Sequence, residues 1–215
     1  MTALLSVALV AGGIWGLIAD RIAARWPAHD DGSIRSVDWR TGAVIVFGAA
    51  APTLLVLRFE SETGALVYLG ILIVALTLLF ATDLDQRLLP DVITFPIVAY
   101  ALIGFVAGLG PFVHTPGDLL VAAVVAVAIP VLLFVIAIPF GAGAIGMGDL
   151  KLLFGIGLLS GAIRLIAMVI VGALAAAVGI VVLLVLRRIT LKSYVPYGPF
   201  LIIGAVWALT VSRGL

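Results

Sequence analysis

Two short acidic motifs stand out in a chain of which only 11% is charged. One runs Asp83-Leu84-Asp85-Gln86-Arg87-Leu88-Leu89-Pro90-Asp91, the other Gly146-Met147-Gly148-Asp149-Leu150-Lys151. A carboxylate near bilayer depth is costly, so each marks a candidate functional position. Two that meet could do acid–base work on a substrate in or beside the membrane. Carboxylates a few ångströms apart do not both ionise readily and share one proton. The ionised member can take a proton from water; the protonated member can polarise a scissile carbonyl or protonate a leaving amine. Such chemistry needs no cysteine, serine triad or metal.

The neighbours of these acids refine the reading. Gly146 and Gly148 let the backbone take unusual angles and let another chain come close. An extended substrate could pair with this loop as a strand adds to a sheet edge. Asp149 could equally cap the helix that follows, since Asp is a preferred N-cap. Asp83 closes an apolar run and could be a boundary charge among headgroups. Asp85, two residues on, points to a different face of a helix, so only one of the two can share a site with Asp149. Pro90 and Asp91 read as a turn and a helix start, which makes Asp91 structural. Lys151 is either a residue that orients substrate and tunes Asp149 or a snorkelling surface lysine.

Composition excludes several classes. Cysteine is absent, which removes disulfides, thiolate catalysis and Cys-based zinc sites. His29 and His114 fall in loops at different expected faces and make no metal site. The net charge of +1 carries no basic block, so nucleic acid is not expected as a partner.

The elements that must position the acids are membrane helices. The chain is 64% hydrophobic and 11% charged, with a mean hydropathy of +1.36. Its apolar runs are continuous rather than alternating, which favours helices over a barrel. The expected architecture is one all-α, polytopic domain over 1–215, with eight helices and a range of six to eight. They fall at 2–19, 42–58, 64–82, 92–110, 117–139, 149–162, 165–186 and 198–212. The first run has no basic residue before it and reads as a membrane helix, not a cleaved signal. With the N-terminus outside, Arg21, Arg25, Arg35, Arg40, Arg87, Lys151, Arg187, Arg188 and Lys192 fall inside, against Arg58, Arg164 and Arg213 outside. That bias puts both acidic motifs on the cytoplasmic side. The 20–41 loop, with Trp26 and Trp39, is expected to lie on the headgroup surface. Gly12/Gly16, Gly104/Gly108 and Gly157/Gly161 have spacings that permit close helix packing.

Three segments together resemble the type IV prepilin leader peptidases, membrane aspartyl proteases of the Gly-x-Gly-Asp class. They are Thr82-Asp83-Leu84-Asp85 through Leu89-Pro90-Asp91, Gly146-Met147-Gly148-Asp149-Leu150-Lys151-Leu152-Leu153, and Val195-Pro196-Tyr197-Gly198-Pro199-Phe200. The resemblance implies Asp83 and Asp149 as catalytic residues, with Gly146, Gly148, Lys151, Pro90 and Asp91 as motif or substrate-binding support. It implies an inner-membrane enzyme that removes short basic leaders from prepilin or pseudopilin-like precursors at the cytoplasmic face. The last segment reads as a rigid turn that holds the final helix near the site. The presenilin-like group shares Gly-x-Gly-Asp, but its Tyr-Asp pair and Pro-Ala-Leu motif are missing here. Two rivals stay open: a proton-coupled transporter, and a lipid-processing enzyme holding Mg²⁺ between Asp83 and Asp85. Longer relatives carry a cysteine-rich, metal-binding insert in the first cytoplasmic loop and methylate the new N-terminus with S-adenosylmethionine. The 20–41 loop has no such insert, so no cofactor is expected. Cleaved product incubated with the enzyme and a methyl-labelled donor is expected to gain no label; transfer of label would restore the second activity.

Overall fold

The computed structural model describes residues 2–29, 32–140, 145–185, 187 and 197–211. Among them are eight α-helices: α1 Thr2–Ala23, α2 Trp39–Phe59, α3 Thr63–Gln86, α4 Asp91–Val106, α5 Pro116–Ala137, α6 Met147–Ser160, α7 Ala162–Val185 and α8 Gly198–Thr210. A 3₁₀ turn at Ile138–Phe140 follows α5. No strand occurs among the described residues. The protein is a polytopic membrane bundle: α1, α2, α3, α5 and α7 are each long and apolar enough to cross a bilayer. By contrast α6 and α8, at 14 and 13 residues, reach only about 20 Å against a hydrocarbon core of about 30 Å.

Those two short helices are among the most buried. Leu152, Leu153 and Ile156 of α6, Leu201 and Ile202 of α8, and Leu69, Leu76 and Leu79 of α3 are wholly inaccessible. The core thus centres on α8, which contacts both α3 and α6, and it is built mainly of leucine and isoleucine. The flanking helices turn large aliphatic side chains outward, among them Val7 and Ile14 of α1, Val124 of α5 and Val178 of α7. This is the surface a lipid solvent requires.

Local sequence explains the helix limits. Asp38 caps α2 by accepting from the Arg40 amide at 2.9 Å. Thr115 caps α5 by accepting from the Asp118 amide at 3.1 Å. The third helix runs past the expected 64–82 to Gln86, so Asp83 and Asp85 are both helical. It ends at Arg87 in the left-handed region, φ 57°, whose N–H donates to Asp83 O at 2.9 Å. The 20–41 loop is shorter than expected, since Asp20–Ala23 and Trp39–Thr41 are helical.

Close packing follows small residues, as in membrane helix pairs generally. The Gly12/Gly16 spacing faces Gly48 of α2: a Cβ at Gly48 would lie 2.8 Å from Gly16 Cα. Gly157 packs α6 on Ala126 of α5, whereas Gly161 is a helix C-cap with φ 83°. Gly172 of α7 and Gly204 of α8 form a further close contact that the spacing search did not find. Gly48→Leu is expected to destabilise the fold by about 1–3 kcal/mol, as overpacking does. Thermal unfolding in detergent checks this against Gly70→Leu, where the added side chain meets open space and the midpoint should hold.

Candidate active site

Asp83 sits in the last turn of α3, held up by Leu72, Leu76 and Leu79 beneath it, and only 5% exposed. Asp149 lies in the first turn of α6, 8% exposed. The N-cap of α6 is Gly146, not Asp149. From the first turn the Asp149 carboxylate leans back toward the Gly146 backbone, so this residue is not the helix cap that its type allowed.

The two carboxylates meet at Gly198, the first residue of α8. A Cβ at Gly198 would lie 2.5 Å from Asp83 Oδ2 and 3.0 Å from Asp149 Oδ1. Both acids therefore press on one methyl-sized position, close enough for the Asp149 charge to act on Asp83. Asp83 Oδ2 is buried without a hydrogen-bond partner among the described residues. A buried acceptor left unpaired is expensive, and here it points at the space the acids share. Tyr197, just ahead of Gly198, is within electrostatic reach of Asp149. Val195 and Pro196 of the same motif lie outside the described residues.

The other predicted residues build the frame. Gly148 lets α6 start against the Leu89–Pro90 turn: a Cβ there would sit 2.7 Å from Leu89 Cβ. Pro90 is the N-cap of α4. Lys151 Nζ donates to Asp91 Oδ1 and Oδ2 at 2.7 and 2.8 Å, tying α6 to α4. It also lies 4.8 Å from the centre of the Phe95 ring. A pocket of about 360 Å³ gathers Asp83, Arg87, Asp91, Met147, Asp149 and Lys151.

Asp85 belongs elsewhere. Its side chain is 1% exposed and ion-paired to Arg35 Nε at 2.6 Å and Arg40 Nη1 at 3.0 Å, with His29 Nε2 3.2 Å away. Cations already occupy it, so it cannot join Asp83 in clasping Mg²⁺. No group of acids and histidines able to hold a metal occurs among the described residues. His29, expected as an ordinary loop residue, is a partner of Asp85. Asp20, also inaccessible, pairs with Arg21 and Arg35 and accepts from Thr41 Oγ1 at 2.9 Å. Burial opposes the Arg35 charge, but its bond to Asp20 and the charges of Asp20, Asp85 and Asp38 outweigh it. They hold the guanidinium above its ordinary value.

Sequence reasoning missed Gly198 as a site residue. Its only signal was a glycine between aromatic and proline in the last motif.

An all-helical, multi-pass membrane protein with two buried carboxylates converging on one glycine is the class that fold and site define. The sequence profile of the type IV leader peptidase family matches residues 70–184, more than half of the chain, and the protein belongs to that family. It is a membrane peptidase. Comparison with curated proteins and with solved structures finds no match. Gly198→Ala is expected to push the Asp83 and Asp149 carboxylates apart and cost about a hundredfold in kcat, the scale of a 1 Å misplacement. Peptide cleavage, read beside thermal unfolding to show an intact fold, checks this.

Proposed function

We propose that the protein is an aspartic endopeptidase of the inner membrane that removes the short basic leader from prepilin or pseudopilin-like precursors at the cytoplasmic face. The observation that carries this reading is the convergence of Asp83 and Asp149 on Gly198, with one Asp83 oxygen unpaired and aimed at the shared space.

In this reading the acids hold one proton between them. The ionised carboxylate takes a proton from water as its oxygen attacks the scissile carbonyl. The protonated one donates to the carbonyl oxygen, and the tetrahedral adduct collapses as a carboxyl proton passes to the leaving nitrogen. No covalent intermediate and no cofactor enter. The apolar wall of α3, α6 and α8 raises the effect of each charge on its neighbour, because fields are weakly screened there. Lys151, bound to Asp91, would hold the mouth of the site and meet the substrate backbone. The glycine-dense segment 141–148 is the one whose closure the sequence would suggest; residues 141–144 lie outside the described residues, and Met147 and Gly148 belong to α6.

The test is cleavage of a pilin-type precursor by purified enzyme in liposomes. Wild type is expected to cut, and Asp83→Asn and Asp149→Asn to be inactive while still folded, since the amide keeps the shape and loses the shared proton. Normal cleavage by both variants would sink the two-aspartate reading. A shared proton also predicts a bell-shaped pH–rate profile, falling when both acids are protonated and again when both are ionised.

A further inference from the structure

α4 and α5 pack on α6 from two sides and do not touch one another. The gap between them is a cleft of about 580 Å³. Phe95 and Leu102 of α4 and Val127 and Val131 of α5 form its walls, and Phe154 of α6 lies on its floor. All four wall residues are exposed. Lys151 is the one charged residue in its lining, and that charge is matched by Asp91 and covers the Phe95 ring.

The cleft is continuous with the pocket of the two aspartates. Met147 and Lys151 line both. At this junction the surroundings change from mostly apolar to acidic along the start of α6, from Leu150 and Phe154 to Asp149. A lipid-filled groove on the outer surface of a bundle has no reason to end at a pair of buried carboxylates. A membrane peptidase has one: its substrate carries an apolar segment, and that segment must leave the acid pair along a path that needs no hydrated groups. The cleft floor, between two helices that stay apart, is such a path.

We infer that the α4/α5 cleft seats the apolar segment of the protein substrate adjoining the scissile bond, which runs past Met147 and Lys151 to reach Asp83 and Asp149. This rests on the two-aspartate reading of the site. The walls then discriminate substrates by shape and hydrophobicity, separately from the chemistry. Truncating or filling them changes binding and leaves the acids as they are.

Two measurements test it. The chain has no cysteine, so single cysteines at Leu102 and Val131 report without background. In the Asp149→Asn enzyme, which leaves the precursor uncut, both are expected to cross-link to single cysteines placed along the precursor's apolar segment. A cysteine at Val7, on the outer face of α1, is expected to stay free. Separately, Ala99→Trp and Val127→Trp fill the cleft. They are expected to raise KM for the membrane-anchored precursor about tenfold at unchanged kcat. Cleavage of a soluble peptide that carries only the leader and the scissile bond should not change, which shows the filled variants to be folded and active. Where a filled variant loses both substrates, the cross-links decide. Wild-type cleavage of the anchored precursor by both filled variants, or cross-links no more frequent from the cleft than from Val7, overturns the inference and leaves the cleft to lipid. Cross-linking reads binding, not cleavage. It therefore stands or falls independently of the Asp83→Asn and Asp149→Asn assays, which judge the chemistry.

Discussion

The structure depends on bringing two carboxylates together at the end of an apolar core. Two such groups repel each other and lose water, and each would relax by moving apart or turning outward. What prevents this is backbone. α8 starts at Gly198 between them, Gly148 in the first turn of α6 packs against the Leu89 turn, and the leucines of α3, α6 and α8 close the space behind. None of these helix ends can retreat without opening the core, so packing holds the acids, with the Gly146 backbone as a further support for Asp149. Catalytic groups supported in this way are already arranged before substrate arrives.

One turn away the same helix solves the opposite problem. The Asp85 side chain is buried too, yet it is surrounded by Arg35, Arg40 and His29, and Arg35 also reaches Asp20 at the end of α1. Buried ion pairs of this kind add little net stability against apolar residues of similar size. Their consequence here is geometric. The segment between α1 and α2 is fastened to the end of α3, and Gln86 Nε2 adds a bond to Pro27 O at 2.6 Å. The end of α3 is thereby fixed from one side by charges and from the other by Gly198. Two acids of one motif, two residues apart, thus differ in setting: an Asp83 oxygen is left without a hydrogen bond, while Asp85 is set among cations that fix its position.

Much of the fold was legible because a bilayer simplifies the code. Continuous apolar runs located all eight helices, and the gap between Asp83 and Asp85 on a helix already implied that only one could share a site. The ends were less legible. α3 was expected to stop before Asp83 because charges usually mark a membrane boundary; it continues to Gln86 because Asp85 finds cations from another loop, which no local pattern reports. The same reason hid His29. Gly198 was hidden because its importance is a distance to residues 115 and 49 positions away in sequence, one to Asp83 and one to Asp149. Gly12 and Gly16 were visible as a spacing on one helix, whereas Gly172 and Gly204 form their contact from different helices and have no spacing to read.

The uneven packing of the bundle has a physical logic of its own. A hydrolase inside a membrane must admit water and an apolar chain to the same two atoms, and the two visitors demand opposite surroundings. In the proposed reading the two are separated by flank. Arg87, Asp91 and Lys151 surround the aspartates at the polar mouth, while Phe95, Val127 and Val131 face the gap between α4 and α5. The helices that bear the acids and the glycine between them carry the largest buried share of residues, and α4 and α5 border the gap without packing on each other. Rigidity is thus spent where a small displacement would ruin the chemistry, and looseness is left where differing side chains must be accommodated.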